Sequence, residues 1–81
     1  ATAVHAMAGS ESAMSNFVLD RIAIATALAA LTNDLRVVFV LSDIEGYSHA
    51  EIAQTLGIRT GTSEVRLHRA RRRLRALLGD T

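Results

Sequence analysis

The stretch Glu64-Val-Arg-Leu-His-Arg69 sets four side chains that can address DNA base edges within six residues. Arginine can grip O6 and N7 of guanine with two hydrogen bonds. Glutamate can accept from the cytosine amino group, and valine can pack on the thymine methyl. At about 100° per residue, Val65, Arg69 and Arg72 point away from the apolar side of a helix, with His68 beside them. Glu64 and Arg66 fall on its two flanks. A helix that reads DNA does so with its amino-terminal part. That makes Glu64, Val65, His68 and Arg69 the candidate base readers. Arg72 comes later and suits phosphate, while Arg73 and Arg75 touch phosphate or stay solvated. Arg59, Thr60 and Thr62, with the backbone N–H groups where this helix starts, also suit phosphate. Ser48 and His49, at the start of the preceding helix, are candidates for the opposite DNA backbone.

The charge distribution points the same way. All nine basic residues are arginine, and the net charge is only +1. Residues 59–81 nevertheless carry +5, and residues 1–58 carry −4. A basic carboxyl end on a near-neutral chain implies a polyanion as partner.

Other chemistries find little support. His5, His49 and His68 are too scattered for a metal site, and there is no cysteine to supply thiolates. Asp43 and Glu45 end a helix and Glu51 serves a helix cap, so no carboxylate pair is set aside for catalysis. A chain of 81 residues makes one small domain with a thin core and little room for a substrate cleft. The expectation is a protein that is not an enzyme, with no cofactor and no small-molecule substrate. No apolar run has the length of a membrane span and no secretory signal is evident, so a cytoplasmic setting is expected.

The elements that must position these residues are helical. There is no proline, and alanine, leucine and arginine abound. Residues 1–15 are small and polar and are expected to be a linker or a disordered segment. The spacing of Val18, Ile22, Ala25 and Leu28 predicts a first helix over 16–30, capped by Asn16. Thr32 caps a second, with Leu35, Val38, Phe39 and Leu41 on its core face, and Gly46 stops it. Tyr47 is expected at the edge of the core. Ser48-x-x-Glu51 is a capping box that opens a short third helix, closed by Gly57. A fourth helix is predicted over 62–78, capped by Thr62, with Ser63, Leu67, Ala70 and Leu74 on its apolar face. The fold class is all-α: a small four-helix domain over 16–81 containing a helix-turn-helix, with Ala53 at the close approach and Leu56, Ile58 and Leu67 in the angle.

From Leu31 onward the sequence resembles region 4 of bacterial sigma factors, within the extracytoplasmic-function group. Leu31-Thr-Asn-Asp-Leu-Arg36 is similar to the family's Leu-Pro-x-x-x-Arg. Asp43-Ile-Glu-Gly46, Tyr47-Ser48, Glu51-Ile-Ala53, Leu56-Gly-Ile58, Gly61-Thr62 and Arg66-Leu-His-Arg-Ala-Arg71 follow in family order and spacing. The resemblance implies recognition of the −35 promoter element, docking on the β flap of RNA polymerase, and often sequestration by an anti-sigma factor. It implies that His68 and Arg69 are principal base readers and that Arg66 contacts the DNA backbone or a base. Part of the Leu35–Leu41 stripe, with the first helix, is a candidate surface for a polymerase or anti-sigma helix. The chain departs from the family at Ser63, where an apolar residue is usual, at Glu64, where lysine or arginine is usual, and at Val65, where serine is usual. Nothing in it matches the region that opens the −10 element, so a piece of a longer factor is expected. Two alternatives stand beside this reading: a LuxR-type response-regulator output domain, and a helical protein-interaction module.

Overall fold

The computed structural model describes residues 8–79, with side chains from Asn16. Helix α1 spans Ala8–Ala30, α2 spans Asn33–Phe39 and runs on as a π-helical turn over Val40–Ile44, α3 spans His49–Leu56, and α4 spans Thr60–Leu77. No strand occurs among the described residues. No helix among them is long and apolar enough to cross a membrane.

Helix α4 is the central element and packs against α1, α2 and α3. Its buried positions are Ser63, Leu67, Ala70 and Leu74, spaced four, three and four residues apart. That spacing is one face of a 3.6-residue helix. Two core clusters meet on it. Ala27 and Leu31 of the α1 end pack on Ala70 and Leu74, with Leu28, Leu35 and Phe39 around them. Val38 and Ile52 pack on Leu67, with Phe39, Leu41 and Leu56 around them. Phe39 belongs to both and joins them.

The punctuation follows the chain's local chemistry. At α3 the capping box forms in full: the Ser48 hydroxyl accepts from the Glu51 N–H, and the Glu51 carboxylate accepts from the Ser48 N–H. Gly57 closes α3 with φ of 69°, a left-handed conformation that costs glycine little. The Ile58 N–H then returns to the Ala53 carbonyl. At the other turn, Arg36 donates to the Leu31 carbonyl and ties α2 to the end of α1.

Several expectations are corrected. Helix α1 starts at Ala8, earlier than the expected Asn16, so residues 8–15 form its first two turns. Ala8, Glu11, Ala13 and Met14 are good helix formers and no proline interrupts them. Residues 1–7 of the expected linker lie outside the described residues. The expected core stripe of α1 is exposed at Val18, Ile22 and Ala25, and Ala27 and Leu31 are buried instead. Apolar residues surround α1, and only its last turns reach α4, so the spacing did not single out the face in use. Helix α4 starts at Thr60, where the Arg59 carbonyl accepts from the Ser63 N–H. Thr62 therefore sits inside the first turn and Arg59, not Thr62, is the N-cap. Thr32 is the N-cap of α2 by backbone, but its hydroxyl donates to Asp34 rather than capping the helix. The face of α4 ends at Leu74, since Leu77 and Leu78 are exposed. Tyr47 keeps about half its surface exposed (49%).

Candidate nucleic-acid interface

On α4 the residues facing away from the core are the ones that can meet a ligand. Glu64, Val65, His68, Arg69 and Arg72 are all exposed. Val65, Arg69 and Arg72 form a stripe along the helix, and Glu64 and His68, four residues apart, run beside it. Among the described residues, none of the side chains of Glu64, His68, Arg69 and Arg72 has a hydrogen bond or ion pair. Their heads are thus available, and the buried face beneath holds the helix that carries them. Arg69 lies at the meeting of two open depressions, one lined by Gly61, Thr62, Val65 and Arg66, the other by Leu35, Arg72 and Arg73.

The candidate phosphate residues fall at the ends of this surface. Arg59 and Thr60 are exposed at the start of α4, and Thr62 and Arg66 are half-buried. The first N–H groups of a helix have no partner inside it, which suits an anion there. Ser48 is exposed and His49 half-buried at the start of α3. Helix α3 packs directly on α4, so the two starts belong to one unit.

Three polar contacts were not visible in the sequence, and each changes how a candidate is read. Arg66 faces Asp34 of α2 at 3.9 Å. A pair this long and this exposed holds little energy, so a phosphate can compete for Arg66. The Asp34 carboxyl is held below its usual value first by the Thr32 hydroxyl, with Arg66 a lesser influence. Arg71 grips Asp43 with two hydrogen bonds, 2.8 Å from Nε and 2.6 Å from Nη2. The π-helical turn carries Asp43, so this pair ties that turn to α4 and takes Arg71 out of the reading surface. No local signal marks a pair 28 residues apart. Third, His49 Nδ1 lies 2.8 Å from the hydroxyl of Ser63, which is fully buried. The sequence flags Ser63 as a polar residue on an apolar face, but not its partner.

The Asp43–Arg71 pair has a pH signature. The Arg71 hydrogen bonds hold the Asp43 carboxyl below its usual value of 3.8, and Asp43 in turn raises Arg71. A carboxyl depressed on folding adds stability above its unfolded value, and that stability is lost as pH falls through the folded value. Asp43→Asn is expected to cost roughly 0.5–1 kcal/mol at neutral pH, the upper range for an exposed but bidentate pair. Thermal melts at descending pH should show the gap between the two proteins closing below pH 3.8. A gap that stayed constant down to that range would show the pair to be energetically idle.

Residues 21–74 match the family model described as sigma-70, region 4. The chain is 49% identical over 65 residues to the ECF RNA polymerase sigma factor SigL of Mycobacterium tuberculosis, covering 80% of this chain and 37% of that protein. It is 48% identical over 52 residues to the ECF sigma factor SigE of Mycolicibacterium smegmatis, covering 64% and 20%. It is 44% identical over 54 residues to the sigma factor CarQ of Myxococcus xanthus, covering 67% and 31%. The chain thus spans between a fifth and just over a third of the length of these curated relatives.

Proposed function

The chain belongs to the sigma-70 region 4 family, and from that premise we propose that it reads the −35 element of a promoter in the DNA major groove as part of a sigma factor. The observation that carries this reading is the exposed set on α4, with Arg69 at its centre and no competing side-chain partner among the described residues. Glu64, Val65, His68 and Arg69 contact base edges. Ser48, His49, Arg59, Thr60, Thr62, Arg66 and Arg72 hold phosphates on either side. The polymerase performs the chemistry, so the domain is a reader and not an enzyme, and it works in the cytoplasm. RNA polymerase core is the second partner, through the β flap. An anti-sigma factor is a third. The apolar surface left open on α1 by Phe17, Leu19 and Ile22 suits such protein partners. Membership of this family leaves no support for a LuxR-type output domain.

Glu64 is the position where specificity should be most individual. A carboxylate in the groove repels phosphate unless it accepts from a cytosine amino group. Selection from randomised duplexes should therefore enrich one short motif containing a C·G pair that depends on Glu64. With Glu64→Lys that pair should lose its enrichment while the rest of the motif persists. Flat enrichment with the unaltered protein would refute base reading and leave the helical interaction module. A uniform rise in affinity with no change of motif would refute the role of Glu64 alone.

A further inference from the structure

We propose that Ser63, on the buried face of α4, is a positioning residue that sets the proton of His49 so that its Nε2–H donates to a DNA phosphate. The inference rests on the DNA-binding reading above and adds to it a residue with no contact to DNA.

The argument starts from one buried proton. Ser63 has no exposed surface. A buried hydroxyl without a partner costs about 1–3 kcal/mol, so its proton must lie on an acceptor. Among the described residues the one hydrogen-bond partner of the Ser63 hydroxyl is His49 Nδ1, at 2.8 Å. No backbone carbonyl among the described residues is hydrogen-bonded to that hydroxyl; the Arg59 carbonyl, four residues back on the helix, accepts the Ser63 backbone N–H. The hydroxyl therefore donates to Nδ1. A neutral imidazole carries one proton, and with Nδ1 accepting, that proton is on Nε2.

The second step concerns what Nε2–H can reach. It has no hydrogen-bond partner among the described residues. The ring lies near enough to Asp43 to help lower its carboxyl, but no hydrogen bond joins the two, and the Asp43 carboxylate accepts its two hydrogen bonds from Arg71. Ser63 is fully buried and His49 half-buried, so the pair runs from the core to the surface at the start of α3. The outer end of the pair is a lone donor held in one orientation. A fixed donor loses less entropy on binding than a free side chain does. Phosphate oxygens accept only, so a ring with its proton on Nδ1 would present the wrong nitrogen.

Two measurements test this with the 81-residue chain. Nitrogen shifts of the neutral His49 ring should report the Nε2–H form, and Ser63→Ala should shift the ring toward a mixture of both forms. Binding is measured to a duplex recovered by the randomised selection, with circular dichroism melts confirming that each variant is folded. His49→Ala and Ser63→Ala should each weaken binding about 3- to 10-fold, as expected for one hydrogen bond. The double variant should bind no worse than His49→Ala alone, because both changes remove the same contact. His49→Gln carries its own terminal N–H donor, and in that background Ser63→Ala should have no effect. An Nδ1–H ring in the unaltered protein, or additive losses in the double variant, would overturn the inference. If His49→Ala binds as the unaltered chain does, the inference fails while DNA binding stands. No duplex binding by the unaltered chain would overturn the DNA reading itself.

Discussion

Ile52→Ala is expected to lower the melting temperature by roughly 10 °C or more, while Ile22→Ala leaves it within a few degrees. Ile52 is 1% exposed and packs with Val38 and Leu67 where α3 meets α2 and α4. Truncating a buried isoleucine to alanine costs about 2–5 kcal/mol, from lost transfer energy and the cavity left behind. A domain of this size holds only about 5–10 kcal/mol in all, and 1 kcal/mol moves the midpoint by about 4–8 °C. The cavity also sits inside the unit that orients α4, so DNA binding should fall with stability. Ile22 is 56% exposed, and its truncation leaves no cavity. Surface changes of this kind stay within about 0.5 kcal/mol. Circular dichroism melts of both variants decide the matter. Equal losses would mean that α1 is packed along its length and that the division between its two halves is wrong.

The same pair of isoleucines shows where the sequence is informative. In α3 and α4 the local signals agree with one another. A capping box, a left-handed glycine and a four-three-four apolar spacing fix the start of α3, its end and the face of α4 within a residue or two. Tertiary packing had only to accept what the chain already preferred. Helix α1 is different, because Phe17, Val18, Leu19, Ile22 and Ile24 point in all directions and all are exposed. No periodic pattern could tell which side meets α4. The decision is made by contact at Ala27 and Leu31, near the turn into α2. Nor does any periodicity reveal the π-helical turn. Its one wide turn carries Asp43, whose partner Arg71 lies 28 residues away.

At the candidate site the exposed faces could be read from the helical wheel, because they are the complement of a regular apolar stripe. The contacts that modulate the site could not. Asp34 beside Arg66, Arg71 on Asp43 and His49 on Ser63 all join residues more than ten apart in sequence. Each requires the helices to be docked first. Of these, Ser63 left a trace in the sequence, since a hydroxyl on the buried face of a helix must find a partner.

Arg69→Ala is expected to weaken binding to the preferred duplex by about 1–3 kcal/mol, a loss of roughly 5- to 150-fold, and to relax the preference at one base pair. That size is what two hydrogen bonds from Arg69 to guanine O6 and N7 would contribute, since a wrong base could not accept them in the same way. Arg69 is suited to this because no side-chain partner among the described residues competes for it. Arg71, two residues away, is gripped by Asp43 and should matter little to base choice. Arg72 provides the internal control. It is also exposed and carries the same charge, but it lies one turn further along α4 from its amino end. Arg72→Ala should therefore weaken all duplexes alike and reduce the salt dependence by about one counterion. Specific and scrambled duplexes titrated at two salt concentrations separate the effects. A charge acts on every sequence and fades with salt, whereas a bidentate contact acts on one base pair and persists. If both variants lost affinity equally on both duplexes, α4 would be holding DNA without reading it.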